Sequence, residues 1–262
     1  MNIASLPNAD LHWREDGNPQ GRPVVFVNSL GTDLRLWDAV LPLLPQSLRL
    51  IRFDKRGHGL SSCPTDPYSM DELVGDTEQL LDTLHIQNCL FIGLSIGGMI
   101  GQSLAARRPD LIRAMVLSNT AAKLGEPAVW NQRIATIESN GIESLSETIL
   151  LRWFGPQFLA TAEVVGWRHM LQRTPLKGYT GCCHAIAGTD LSELTSSLRL
   201  PVMGIAGSQD GASPASLVQA TIDLIPNARC HVIEGAGHLP CVEKPSDYAA
   251  LINDFIAETG HE

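Results

Sequence analysis

The 262 residues contain no apolar run near the roughly 20 needed to cross a bilayer, which excludes a helical membrane protein. The opening stretch Met1-Asn2-Ile3-Ala4-Ser5-Leu6-Pro7 lacks the basic region and apolar core of a secretory signal, so a cytoplasmic location is the expectation. Positive charge is scarce: 19 Lys and Arg face 28 Asp and Glu, a net charge of −9. Such a chain repels nucleic acid and anionic membrane surfaces, and neither is expected as a partner. An anionic substrate would have to find its cation locally, against the field of the whole molecule. Cysteine is present six times, at 63, 89, 182, 183, 230 and 241, but without C-x-x-C or H-x-H spacing. That scatter argues against a metal site, and in a large chain without a secretory signal it argues against a disulfide framework. Repeats, low-complexity tracts and long linkers are also missing, which leaves one domain with room for an insertion.

Strand-like and helix-like segments alternate. A hairpin is expected over residues 3–5 and 10–15, around Leu6-Pro7-Asn8. The continuous apolar run Val24-Val25-Phe26-Val27 reads as a strand buried on both faces, followed by strands at 48–53, from 88, and at 114–117. Helical spacing occupies 71–84. From 121 to 190 the rhythm changes: helical periodicity appears at 129–137, 142–154 and 162–171, with no β-branched run between them. Alternation resumes with a strand at 201–206, a helix at 214–224, a strand at 229–233 and a helix at 245–256. Pro214 and Pro245 suit first-turn helix positions. The expected fold is therefore α/β, a mostly parallel eight-stranded sheet covered by helices. Its core is expected over 1–120 and 191–262, with a helical cap over 121–190 after the sixth strand.

Gly93-Leu94-Ser95-Ile96-Gly97-Gly98 joins the apolar run Cys89-Leu90-Phe91-Ile92 to a helical stretch. A serine turned sharply between a buried strand and a helix is the nucleophile elbow of α/β-hydrolases. The turn strains the serine backbone, so its neighbours must lack bulk, a demand that Gly93 and Gly97 meet. Gly98 allows the helix to approach the sheet. A serine needs a base, and the base an orienting acid, in the chain order Ser, acid, His. Of eight histidines, His238 alone sits in a glycine-flanked turn after a late strand, in Gly235-Ala236-Gly237-His238. Asp210, ending the loop after the penultimate strand, is the candidate acid, although it could merely cap the helix near Pro214. The rival position after the preceding strand holds Ser118-Asn119-Thr120 and no carboxylate. Asp54 reads as an organiser of the glycine turn that contains His58.

Two N–H donors must converge on an oxyanion. The backbone of Ile96, directly after the serine, is one. The loop Asn28-Ser29-Leu30-Gly31 supplies the other, with Leu30 as donor and the Asn28 and Ser29 side chains bracing the loop.

Several stretches carry a more specific likeness. Asn28-Ser29-Leu30-Gly31-Thr32-Asp33-Leu34-Arg35-Leu36-Trp37, Trp130-Asn131-Gln132-Arg133-Ile134, Arg152-Trp153-Phe154, Gly178-Tyr179-Thr180-Gly181-Cys182-Cys183-His184-Ala185-Ile186 and Gly237-His238-Leu239 resemble the 3-oxoadipate enol-lactonases of bacterial aromatic catabolism. The resemblance covers nearly the whole chain. It implies hydrolysis of a small anionic lactone by Ser95, Asp210 and His238 through an acyl-enzyme, with no cofactor. Trp130 and Arg133 lie three apart, on one face of a helix. By that spacing alone they could be a packing and a surface residue. With the resemblance, Arg133 is expected to bind the substrate carboxylate and Trp130 to wall the pocket. Packing roles are expected for Trp153, Cys182 and Cys183. A general carboxylesterase, a cofactor-free haloperoxidase-like hydrolase and a small-molecule receptor share the triad. A haloalkane dehalogenase would require a carboxylate in place of Ser95.

Overall fold

The computed structural model describes residues 1–65 and 67–262. Eight strands form one sheet: β1 (Asn2–Ser5), β2 (Asp10–Gly17), β3 (Pro23–Val27), β4 (Arg49–Phe53), β5 (Cys89–Leu94), β6 (Ile112–Ser118), β7 (Val202–Gly207) and β8 (Arg229–Ile233). Their order across the sheet is β1-β2-β4-β3-β5-β6-β7-β8. The β1/β2 and β2/β4 pairs are antiparallel and the other five are parallel. Every residue of β5 and β7 is buried, whereas β1 and β8 at the two edges are partly exposed. Central strands covered on both faces read as unbroken apolar runs, which makes them the plainest elements in the sequence.

The core helices are α1 (Met70–Thr83), α2 (Ile96–Arg107), α9 (Ala215–Ile222), α10 (Pro240–Glu243) and α11 (Pro245–Thr259). Ser69 starts α1 with a capping box: its hydroxyl accepts from the Glu72 N–H, while the Glu72 carboxylate accepts from the Ser69 N–H. Pro245 occupies the first turn of α11, as its fixed φ favours. Pro214 differs from the expectation. It is the extended N-cap residue (ψ 149°) before α9, which is shorter than the apolar pattern suggests.

Between β6 and β7 the chain runs through α3 (Pro127–Asn140), α4 (Glu143–Trp153), α5 (Pro156–Leu159), α6 (Val164–Gln172), α7 (Leu176–Ala187) and α8 (Ser192–Ser196). The sequence pattern locates α3, α4 and α6 but not α7. Gly178 and Gly181 lower its intrinsic helicity, and both are there for contact. A Cβ on Gly178 would lie 2.0 Å from the Gly57 carbonyl oxygen, and one on Gly181 would lie 2.6 Å from the Tyr68 ring. Helix α7 is thus pressed onto the loop after β4, and tertiary packing overrides propensity. Among the described residues no helix is long and apolar enough to cross a membrane.

The chain passes from β3 outward to β4, then returns to the other side of β3 to make β5. This reversal opens a crevice at the carboxyl ends of the strands, where α/β sheets bind their ligands. Asn28, Asp54, Ser95, Asn119, Asp210 and His238 all lie in the segments that leave that edge.

Candidate active site

Ser95 sits between β5 and α2 with φ 57° and ψ −120°, a conformation that costs about 1–3 kcal/mol outside glycine. Its backbone is held on both sides: the N–H donates to Ser118 O (2.9 Å), and the carbonyl accepts from Thr120 Oγ1 (2.6 Å) and Gly98 N (2.8 Å). The glycines around it are sterically required. A Cβ on Gly93 would meet Gly97 O at 2.4 Å, one on Gly97 would meet Val27 O at 2.3 Å, and one on Gly98 would strike the Thr120 side chain at 2.6 Å. Ser95 Oγ makes no hydrogen bond among the described residues and faces a cavity, with the N-terminus of α2 behind it.

Asp210 and His238 meet across the ends of β7 and β8. His238 Nδ1 donates to Asp210 Oδ2 at 2.9 Å, which leaves Nε2 as the acceptor. Burial pushes the Asp210 carboxyl up, but His238 and the Asn119 and Ser213 hydrogen bonds outweigh it and hold its pKa below the usual value. Asn119 Nδ2 donates to Oδ2 (2.9 Å), the Ser213 hydroxyl approaches it at 2.8 Å, and the Ala212 and Ser213 N–H groups donate to Oδ1 (2.6 and 2.9 Å). Asn119, at the rival position that offers no carboxylate of its own, therefore grips Asp210. Its positive φ (47°) at the end of β6 turns the side chain toward β7. The loop carrying His238 is tied to the inserted helices: Trp153 O accepts the His238 N–H (2.7 Å), and Glu243 accepts from Gly237 N and Gly155 N (2.6 and 2.8 Å).

The loop after β3 is fastened at nearly every polar group. Asn28 donates to Phe53 O (2.8 Å) and accepts from Trp37 Nε1 (2.7 Å), and the Gly31 N–H donates to His58 Nε2 (3.0 Å). The Ser29 carbonyl accepts from Lys55 Nζ (2.6 Å) and Thr32 Oγ1 (2.9 Å). Asn28 braces the loop as expected from sequence. The Ser29 side chain does not. Its Oγ lies 3.4 Å from His238 Nε2, in the cavity, because the carbonyl rather than the hydroxyl is turned inward. Among the described residues the Leu30 and Ile96 N–H groups donate to no protein acceptor. Gly31 (φ 76°) is also forced by space, since a Cβ there would lie 2.8 Å from the Leu171 side chain.

A cavity of about 140 Å³ joins these parts. Ser29, Leu30, Ser95 and His238 line its floor, and Trp130, Arg133, Ile149, Arg152, Trp153 and Tyr179 line its roof. The Arg133 guanidinium stacks on Trp130, 4.8 Å from the ring centroid, and its Nη1 lies 3.5 Å from the Tyr179 hydroxyl. Trp130 Nε1 donates to Leu124 O, which fixes the ring. Arg152 shares the cavity, held by its Nε bond to Gly211 O (2.9 Å). Burial, then the like charge of Arg133, pulls its pKa down from the usual arginine value. Neither arginine forms an ion pair among the described residues. Sequence reasoning singles out Arg133 but gives Arg152, which appears only within the likeness, no role; it lies 19 positions away on another helix and joins Arg133 only through packing of α3 and α4. No group of three or more His, Cys, Asp or Glu among the described residues is arranged to hold a metal.

Comparison with known proteins agrees with this architecture. The family profile described as the alpha/beta hydrolase fold matches residues 22–138. The 3-oxoadipate enol-lactonase 2 of Acinetobacter baylyi is 33% identical over 240 residues, covering 91% of this chain and 90% of that protein. The crystal structure of the enol-lactonase from Burkholderia xenovorans LB400 superposes with a TM-score of 0.94 at 34% identity, covering 98% of this chain and 100% of the other. A hydrolase from Pseudomonas aeruginosa PA01 gives a TM-score of 0.93 at 36% identity, with 97% of each chain covered. The chain belongs to the α/β-hydrolase family. Within that family it stands with the enol-lactonases, as a hydrolase of esters or lactones.

Proposed function

We propose that the protein hydrolyses 3-oxoadipate enol-lactone to 3-oxoadipate, with Ser95 as nucleophile, His238 as general base and acid, and Asp210 as the orienting carboxylate. The observation that carries the reading is the pair of arginines, neither in an ion pair among the described residues, in the cavity shared with Ser95. Two like charges with no carboxylate in contact repel each other; Asp210 offsets this at Arg152 less than Arg133 opposes it, and an anionic substrate relieves the repulsion. This is the local cation that a protein of net charge −9 needs for an anion. The cavity is small, about 140 Å³, which favours a compact substrate such as a five-membered lactone with a short acidic arm. The likeness to the Acinetobacter and Burkholderia enol-lactonases supports the same substrate.

In this reading Nε2 of His238 takes the Ser95 proton as Oγ attacks the lactone carbonyl, through a hydrogen bond that forms when substrate is bound. The tetrahedral oxyanion lies between the Leu30 and Ile96 N–H groups, each worth roughly 3 kcal/mol in the transition state. The ring C–O bond breaks, and the enolate leaving group takes the proton from His238 and becomes the ketone. Water, activated by His238, then releases the acyl group and frees Ser95. The helices between β6 and β7 act as a cap that supplies Arg133, Arg152 and Trp130.

A steady-state assay with the enol-lactone and with p-nitrophenyl acetate tests the proposal. Wild type is expected to prefer the lactone in kcat/KM, and Ser95→Ala to lose turnover of both. A wild type that turns over the aryl ester but not the lactone would overturn the substrate assignment and leave an esterase.

A further inference from the structure

Lys55 is buried at 2% exposure and forms no ion pair among the described residues. Its neighbour Asp54 is occupied elsewhere, accepting from Leu34 N (2.7 Å), Leu60 N (2.9 Å) and His12 Nδ1 (2.8 Å). The Lys55 ammonium instead donates to two backbone carbonyls of the loop after β3, Ser29 O at 2.6 Å and Thr32 O at 3.5 Å. A buried cation spent on carbonyl oxygens is costly unless those bonds serve a purpose.

The Ser29 carbonyl and the Leu30 N–H belong to one peptide group. In a planar trans peptide they point in opposite directions, so whatever fixes the carbonyl also aims the N–H. A cation on the carbonyl oxygen draws electron density across the amide and makes the N–H a stronger donor. We propose that Lys55 positions and polarises the Leu30 oxyanion donor, acting through the carbonyl of the Ser29–Leu30 peptide. This rests on the reading of Leu30 as an oxyanion donor. Thr32 Oγ1 and the Thr32 N–H, 2.9 and 3.3 Å from the same oxygen, hold the carbonyl from its other side but carry no charge.

The charges around Lys55 make its role sensitive to pH. Burial lowers its pKa to about 8, opposed by the carboxylates of Asp54 and Asp33. Burial and the Lys55 charge keep His58 neutral, and burial raises the Cys182 thiol to about 12, so neither titrates alongside it. The ammonium is charged below its pKa and neutral above it, which places a loss of kcat above about pH 8.

The test compares wild type, Ser95→Ala, Lys55→Met and Lys55→Arg in the full chain. Folding is followed by near-UV circular dichroism. Lys55→Met is expected to lower kcat by roughly tenfold, a fraction of what removing a whole donor does, with KM within about twofold of wild type. Its affinity for a boronic acid, whose Ser95 adduct presents an oxygen to the same donors, should fall by a similar factor. Lys55→Arg keeps the charge and should recover part of kcat while losing the alkaline decline. Turnover retained by Ser95→Ala would overturn the serine reading and this proposal with it. Turnover lost in Ser95→Ala but unchanged in folded Lys55→Met would overturn this proposal alone. Should Lys55→Met not fold, the wild-type pH profile decides, and a kcat flat between about pH 7 and 10 overturns it.

Discussion

Asp210 keeps its charge because four N–H donors surround its two oxygens, and only one of them belongs to His238, while the Ser213 hydroxyl is shared between Asp210 and the Asn119 carbonyl. The consequence can be measured at Asn119. Asn119→Ala removes one of those donors and leaves Oδ2 with His238 and Ser213. A drop in kcat of about three- to tenfold with little change in KM is expected, equivalent to the roughly 1 kcal/mol of one hydrogen bond. The arginines predict the opposite split. Arg133→Ala and Arg152→Ala should each raise KM for the anionic lactone by about tenfold, from the loss of a charge-assisted hydrogen bond, and leave p-nitrophenyl acetate nearly unchanged. Equal losses on both substrates would place the arginines in structural roles instead. Asn119 and Arg152 are hidden in the sequence for different reasons. Asn119 carries no charge and so does not look like part of an acid-base pair, while Arg152 becomes a site residue only when α4 lies over the sheet edge.

At the scale of elements, α7 separates packing from propensity. Gly178→Ala places a Cβ against the Gly57 backbone, which cannot rotate away, and is expected to destabilise by about 1–3 kcal/mol. Gly166 in α6 has open space where a methyl group would go, with nothing within 4 Å, so Gly166→Ala should be neutral or stabilise by up to about 1 kcal/mol. Thermal unfolding of the two variants checks the pair, and an equal Tm shift of the same sign would show that α7 is not pressed onto the β4 loop. The alternation of strands and helices, the two-sided burial of β5 and β7 and the position of α11 are legible because apolar period and proline placement are local. Helix α7 and the role of Pro214 before α9 are not, because both depend on what lies across the fold.

For the whole molecule, acid stability follows from carboxylates with displaced pKa values. Asp210 is held low against its burial by His238 and its hydrogen bonds, and Glu72 is held low against its burial by Ser69 and Arg56. A carboxylate with a depressed native pKa contributes stability that is fully present above its unfolded value of about 4 and lost as pH falls through the native value. Burial raises Glu243, so its ionised form opposes folding and protonation relieves it. Calorimetry should therefore show a Tm that holds or rises slightly from neutral pH to about 5 and drops below about 4. Glu72→Gln should shallow that drop, and an unchanged acid limb in Glu72→Gln would remove it from the account.

Chain order alone determined the α/β architecture, the strained serine between β5 and α2, and the ordering of Ser95, Asp210 and His238. Each of these depends on neighbours within a few residues: glycines that relieve a turn, apolar runs that must be buried, a histidine between glycines. The tertiary structure decided which groups share a space. It brought Asn119 to Asp210, turned the Ser29 hydroxyl toward His238, set Arg152 beside Arg133 and directed the Lys55 ammonium at the carbonyl behind Leu30. These contacts join residues from separate strands and helices, and no local periodicity encodes the distance between segments that meet only when the sheet edge and the helices above it close on one cavity.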